Sequence, residues 1–342
     1  MPKTALSKTA RIVRTLSIGG ATQDLFVSLP KESVHVHESR DAIVLPLGDK
    51  IRVSDVTETT GGGAANTSVG LSRLGCDAAF CGVIGSDQWG ERLLATLKNE
   101  KVETCCATVV EGETSSFSIV MRAGSGERVI LYESGTNAHL HDATFDKDHA
   151  RSVDWIYVNR LHDQSMMIVD DLLEVLAAKP SIGLTWNPGG TQIRAGMRDP
   201  QSAMLLPSVT LLLLNREEAL EFTGAADVDA AIALLLSAGV KIACVTDGAR
   251  GSVASDGKVS VHCSTLQNAE IVDTTGAGDA FGTGMTWALA QGYDLPTSLR
   301  TGTINATSVL GAVGAQAGLL TDTEIRHRLS GSSLDVHVRE IL

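Results

Sequence analysis

Asp273-Thr274-Thr275-Gly276-Ala277-Gly278-Asp279 is the stretch best equipped for chemistry. From Asp273 to Phe281, nine residues hold two carboxylates, two hydroxyls and two glycines. The apolar run Ala269 to Val272 precedes it, and Phe281, Met285, Trp287 and Leu289 follow at helical spacing, so a strand or loop delivers a glycine turn to a helix start. Small residues at Gly276, Ala277 and Gly278 let backbone N–H groups approach an anion, and the positive end of the helix favours negative charge there. Asp279, in the first turn, is placed to act as a base on whatever the turn holds. A base beside an anion cradle implies phosphoryl transfer. Two acids that merely cap a helix would not require that density of functional groups.

The remaining elements must bring partners to this turn. Arg11 to Gly20 reads as a strand ending in glycines, with Asp24 just beyond; such strand exits are common ligand corners of open α/β sheets. Thr59 to Asn66 carries Gly61-Gly62-Gly63 ahead of a helix expected from Thr67 to Leu74, a second place for close backbone approach to an uncharged ligand or a phosphate. From Trp155 onward, strands (154–159, 183–186, 210–214, 242–246) alternate with helices (165–178, 216–222, 229–237), as in a doubly wound parallel sheet. Polar residues collect at the strand ends: Asn159 and Arg160, Asn187, Asn215 and Glu218, Thr246 and Asp247. Parallel strands share one carboxyl edge, so these residues should line one crevice. Two further segments, 25–56 and 107–134, alternate apolar and polar residues; the second has a hairpin turn at Arg122 to Glu127. They suggest short antiparallel strands in a small sheet standing off the main one.

The 342 residues, 43% hydrophobic but only 4% aromatic, suffice for a large aliphatic core. A formal charge of −12 argues against nucleic acid or an anionic membrane as partner. Six cysteines form no CxxC pair and read as reduced, partly buried thiols in a cytoplasmic protein. The basic start MPKTALSKTARIVR lacks a signal peptide's apolar segment, so residues 1–11 are expected to be a lead-in. The most apolar run, Leu205 to Leu214, contains Pro207 and is too short to span a bilayer; it is expected to be a buried parallel strand.

Asp273 to Phe281 closely resembles the C-terminal signature of the PfkB, or ribokinase-like, carbohydrate and nucleoside kinases, and the resemblance extends over about residues 12–322, leaving 323–342 as a C-terminal helix or tail. It implies a three-layer α/β/α sandwich with a mainly parallel central sheet and a small β-sheet lid drawn from the two alternating segments. It also implies transfer of the γ-phosphoryl group of ATP, with Mg2+, to a hydroxyl of a sugar or nucleoside, and a homodimer formed through the lid. By resemblance, Asp279 is the base and Gly276, Ala277 and Gly278 form the anion hole. Asp24, Gly62, Gly63 and Asn66 match substrate-binding positions; Asn187, Asn215, Thr246, Gly248, Gly251 and Asn305 fall on the nucleotide side. Glu218 completes an Asn-x-x-Glu pattern that holds Mg2+ through water, and Asp273 with Thr275 matches a K+ site. Gly-x-Asp at Gly85 to Asp87 is read as structural, and Gly314-Ala315-Gln316 closes the pattern. The lysine that ribokinases carry in the first glycine motif is absent, which points away from ribose.

Other classes fit less well. A dinucleotide turn would need a third glycine where Phe281 stands, and a Walker-type GxxxxGK followed by Ser or Thr does not occur. A non-catalytic nucleotide- or sugar-binding regulator remains open on fold grounds.

Overall fold

Apolar runs of four or five residues, fully buried on both faces, make the centre of the molecule. The computed structural model describes residues 12–30, 34–37, 40–122, 128–142, 145–161, 168–266, 270–331 and 334–341. In chain order the strands are β1 (Arg14–Ile18), β2 (Thr22–Ser28), β3 (Val34–His37), β4 (Arg40–Ile43), β5 (Asp55–Gly61), β6 (Asp77–Gly85), β7 (Glu103–Val110), β8 (Phe117–Arg122), β9 (Arg128–Glu133), β10 (Trp155–Val158), β11 (Gly183–Trp186), β12 (Leu211–Asn215), β13 (Ile242–Thr246), β14 (Ser252–Ser255), β15 (Val259–Cys263) and β16 (Val336–Glu340). The helices are α1 (Gly63–Arg73), α2 (Gln88–Asn99), α3 (Lys147–Ser152), α4 (Ile168–Ala178), α5 (Gly190–Ala195), α6 (Pro200–Leu205), α7 (Arg216–Thr223), α8 (Val228–Ser237), α9 (Ala277–Ala290), α10 (Leu295–Leu310) and α11 (Asp322–Gly331).

Ten strands form one sheet in the order β16-β15-β14-β13-β12-β11-β10-β1-β6-β7, parallel from β13 to β7 and antiparallel from β14 to β16. Side-chain alternation splits it into two buried faces. Ile156, Leu184, Leu212 and Val245 join the α4 to α8 layer, where Trp186 meets Phe222 edge-on at 5.9 Å. Tyr157, Leu211, Leu213 and Cys244 join the layer of α9, α10 and α11. The three-layer sandwich expected from the sequence is therefore present.

A separate four-stranded sheet, β5-β2-β8-β9, is the lid. It differs from the sequence expectation in three ways. Residues 107–110 belong to β7 at the edge of the main sheet; β2 and β8 pair in parallel, not antiparallel; and β2 and β5 extend the lid down to Thr22 and Gly61. Asp24 thus sits on a lid strand, not on the exit of β1. Among the described residues the β3–β4 hairpin pairs only with itself. The hairpin turn expected at 123–127, the lead-in 1–11, Ala269 and the first residues of the helix expected from 165 lie outside the described residues.

Three other expectations are corrected. Helix α1 begins at Gly63, four residues early, which puts Asn66 in its first turn. Leu205 to Leu214 is not one strand, because Pro207 sits in a helical turn before β12. Ile271 and Val272, expected as a strand or loop, are an exposed loop. The C-terminal segment is more than a helix or tail: after α11, β16 pairs with β15 and extends the sheet. The sequence reading also passed over β14 and β15, although Asp256-Gly257 between alternating segments signals a hairpin.

Candidate active site

Helix α9 is aimed by its contacts with the sheet. Trp155 donates to Thr185, whose hydroxyl pairs with that of Thr286 at 2.8 Å, and one turn earlier Gly282 packs where a Cβ would meet Tyr157 and Leu213. Leu213 lies nearer the carboxyl end of its strand than Leu211, the partner of Thr185, so the N-terminus of α9 points to the carboxyl edge of the sheet. Gly276 supplies the left-handed turn before it, with φ of 76°; a Cβ there would come within 2.4 Å of Ala315. No side chain caps this fourteen-residue helix, and a Cβ on Gly278 would meet nothing within 4 Å. The start of α9 is thus free of a side-chain cap and open beside Gly278, as an anion hole requires, although Ala277 N makes a long 3.4 Å bond to the Thr274 carbonyl.

Asp279 stands beside that opening, half-buried. Burial raises its carboxyl to about 6, against the lowering effect of the Asn66 amide, whose Nδ2 donates to Oδ2 at 2.8 Å. Asn66 is itself buried, and its Oδ1 accepts from Gln316 Nε2 at 3.0 Å. Thr60 in turn donates to Gln316 Oε1 at 2.9 Å. Asn66 was expected to bind substrate hydroxyls; its Oδ1 and one of its two Nδ2 hydrogens are engaged within the protein, the latter on Asp279.

Asp24 is the second buried carboxylate. Burial raises its pKa to about 6, offset by the hydrogen bond donated from Ser118 and reinforced by the nearby charge of Asp273. Gly61 is bare because a Cβ would strike Asp24 Oδ2. Gly62 and Gly63 also have packing reasons, since their Cβ atoms would meet Ala21 and Asn159 within 3.0 Å. The Gly20 carbonyl accepts from Ala64 N, so the start of α1 is occupied by the protein's own backbone. Of the two glycine turns, only the one before α9 is open to an anion.

Asp273 ties the anion loop together. Burial opposes its ionisation, but donors at Gly314 N, Thr275 N and Thr275 Oγ1, at 2.8 to 3.0 Å, hold its pKa below the ordinary value. Arg128, at the start of lid strand β9, adds contacts of 3.4 Å to Asp273 and 3.0 Å to Thr274. Sequence reasoning missed Arg128, which looked like one cation in an alternating strand.

The other expected residues stand along neighbouring strand ends. Asn215 and Thr246 are in register across β12 and β13, and Asn187, after β11, donates to the Leu213 carbonyl at 3.0 Å. Asn215 caps α7: its Oδ1 accepts from Glu218 N at 2.9 Å while Glu218 accepts from Asn215 N at 2.8 Å. Burial, then Glu217 and Glu221, raise the Glu218 pKa. A carboxylate crowded by like charges, with one oxygen unpartnered among the described residues, fits a hydrated divalent cation. Asp247 pairs twice with Arg250 at 2.7 Å and shapes the turn holding Gly248 and Gly251. Gly251 is needed for packing against the Cys263 carbonyl, whereas Gly248 faces open space. Asn305 is a correction: fully buried, it donates to the Ala280 carbonyl at 2.8 Å and accepts from Leu320 N, so it braces α9 and α10 and cannot touch a nucleotide. Asp87, as expected, is structural, capping α2 and accepting from Ser115. All six cysteines are free, five of them buried.

This combination of sandwich, lid and carboxylate beside an open glycine turn is that of a small-molecule kinase, and the chain belongs to the pfkB family of carbohydrate kinases, whose model matches residues 34–322. The family members are phosphotransferases with an alcohol group as acceptor. The chain is 30% identical over 256 residues, 73% of its length and 98% of the relative's, to an uncharacterized sugar kinase of Archaeoglobus fulgidus. It is 28% identical to a ribokinase of Haemophilus influenzae, over 77% of this chain and 85% of that one. In fold it is similar to adenosine kinase from Sinorhizobium meliloti, with a TM-score of 0.75 at 21% identity over 93% of this chain and 99% of that one.

Proposed function

We propose that this kinase transfers the γ-phosphoryl group of ATP to a hydroxyl of a sugar, with Asp279 as general base. The observation that carries the reading is Asp279 at the open, uncapped start of α9, raised to about 6 and fixed by Asn66. The acceptor lies against Asp24 and the Gly62-Gly63 backbone, its hydroxyls donating to the buried carboxylate. The attacking hydroxyl gives its proton to Asp279, and the N–H groups of Gly276 to Gly278 stabilise charge developing on the transferred group. Asn187, Asn215, Thr246, Gly248 and Gly251 line the nucleotide side at the strand ends. Glu218 and Asn215 would hold Mg2+ through water, the ion neutralising phosphate charge. Lid closure excludes water and limits futile hydrolysis.

Arg128 already places a positive charge on Asp273; a K+ ion at Asp273 and Thr275 would add to it, and comparing rates in K+ and in a large organic cation tests that site. Strand β9 exposes Val129, Ile130, Leu131 and Tyr132 together, an apolar edge that supports a homodimer through the lid. Ile130→Glu should shift the mass in sedimentation from dimer to monomer, and a monomeric native protein would reject the arrangement. No helix of the described residues is long and apolar enough to cross a membrane, in keeping with a cytoplasmic site of action.

A screen of ATP consumption over ribose, fructose, keto-deoxy sugars, adenosine, guanosine and cytidine tests the function. Turnover with a sugar supports the reading; turnover confined to nucleosides replaces it with nucleoside kinase; ATP binding without any transfer makes the chain a binding protein.

A further inference from the structure

We infer that Gln316 and Thr60 are positioning residues for Asp279, acting through Asn66 in a hydrogen-bond chain that starts on the lid. The inference rests on the reading of Asp279 as base. Each link has a direction. The Thr60 hydroxyl donates to Gln316 Oε1, Gln316 Nε2 donates to Asn66 Oδ1, and Asn66 Nδ2 donates to Asp279 Oδ2, so each amide presents its oxygen toward the lid and its N–H groups toward Asp279. An isolated asparagine can present either amide face. Reversed, Asn66 would set its carbonyl oxygen against the carboxylate, two acceptors in contact, an arrangement that only a protonated Asp279 tolerates. The chain in its observed direction therefore favours the ionised, competent base, against the burial that raises its pKa.

The surroundings hold the chain in place. Asn66 is buried away from solvent, while Gln316, although largely buried, lines with Thr60 a cavity open to water, so the Asn66 end of the chain is the more strongly held. Arg73 Nη1 accepts no proton and donates to the Gln316 and Leu319 carbonyls, at 2.7 and 3.3 Å, while Glu100 grips the same guanidinium through two bonds. The Gln316 backbone is thereby pinned, leaving its side chain to reach between Thr60 and Asn66. Thr60 lies on β5 beside Thr59, which pairs with Asp24, the residue proposed to meet the acceptor. The lid strand β2, which carries Asp24, is thus paired with β5, whose Thr60 holds the far end of the chain that orients Asp279.

The test uses the full-length protein with Gln316→Leu, Gln316→Glu, Thr60→Val and Thr60→Ser. Gln316→Leu should lower kcat about ten- to a hundredfold, keep the KM for ATP within about threefold, and move the acid limb of the kcat profile above the native value near 6. Gln316→Glu forces the Asn66 amide to turn its N–H groups away from Asp279 and should cost at least as much. Thr60→Val should cost about three- to tenfold, and Thr60→Ser, which keeps the hydroxyl, should restore the native rate and profile. A lowered kcat with an unmoved acid limb would mean a merely structural role and overturns the inference, as does equal behaviour of Thr60→Val and Thr60→Ser. If Gln316→Leu does not fold, the Thr60 pair decides alone, because Thr60 is half-exposed on the lid. Carboxyl carbon NMR of Asp279 reads the same effect without turnover: a pKa unchanged by Gln316→Leu or Thr60→Val overturns the chain whether or not the native protein is a kinase. Absence of any acceptor turnover in the native protein would instead sink the proposed function.

Discussion

Around Asp279 the side-chain contacts reach across more than 200 residues, whereas along the nucleotide edge they stay within one turn or between neighbouring strands. Asn66 meets Asp279 across 213 residues, Gln316 meets Asn66 across 250, and Thr60 meets Gln316 across 256. Asn215 bonds Glu218 three residues on, and Asp247 bonds Arg250 three residues on. Local pairs form as soon as their turn or helix does. Asp279 gains these partners only when lid, α1, α9 and the loop after α10 have all docked, so if it is the base, its reactivity depends on the assembly of the whole site. The nucleotide edge can be ready beforehand.

The largest expected effect is at the long-range end. Asp279→Asn keeps the shape of the side chain and removes the basic carboxylate. Turnover with the best acceptor should fall at least about a hundredfold, about 3 kcal/mol at the barrier, with ATP binding retained. A near-native rate would show that Asp279 is an ordinary first-turn acid and that the comparison has no catalytic meaning. In the native protein two carboxyls near 6, Asp279 and Asp24, should make kcat/KM fall with a slope approaching two as the pH drops below 6, while kcat follows Asp279 alone.

Asp24→Asn sharpens the comparison from the lid side. A buried carboxylate that accepts from a substrate hydroxyl contributes about 1.5 to 3 kcal/mol, so kcat/KM for the acceptor should drop about ten- to a hundredfold. Stability should move the other way. Because the folded pKa is raised from 3.8 to about 6, the native state gains from a protonated Asp24 below pH 4 and loses that gain as the pH rises through 6. Near pH 8 the ionised group costs up to about 3 kcal/mol, and the amide removes that cost. The melting temperature of Asp24→Asn should exceed the native value at pH 8 and converge with it below pH 4. A variant less stable at pH 8 would mean that Asp24 is a structural acid.

The same contrast explains what could be read in advance. The glycine turn, Asp279, the Asn215–Glu218 spacing and the alternation of strands and helices are written in neighbouring residues, and the structure places each near its expected position. Thr60 and Arg128 carried no local signal, and Gln316 stood out only as the close of the family pattern, with no role, because their partners are set by docking, not by spacing. Asn305 misled for a related reason: a polar residue in a helix looks available until the packing of α9 on α10 encloses it. Gly62 and Gly63 show that a glycine run does not say whether backbone approach serves a ligand or, as with Ala21 and Asn159 here, the protein itself.

The smallest effects belong to the local edge, where one residue does two jobs that substitution can separate. Glu218 accepts from Asn215 N in the α7 cap and is proposed to hold Mg2+ through water. Glutamine can make the same capping contact without the charge. Glu218→Gln should therefore leave the unfolding free energy unchanged within about 0.3 kcal/mol while raising the Mg2+ concentration for half-maximal rate several-fold. Asn215→Ala removes the cap and should cost about 1 kcal/mol, or roughly one to two degrees in a protein of this size. If the Glu218 variant loses stability like the Asn215 variant and keeps the native Mg2+ dependence, the pair is a helix cap only. The metal would then have to be held elsewhere on the strand ends, and the local edge would be architecture alone.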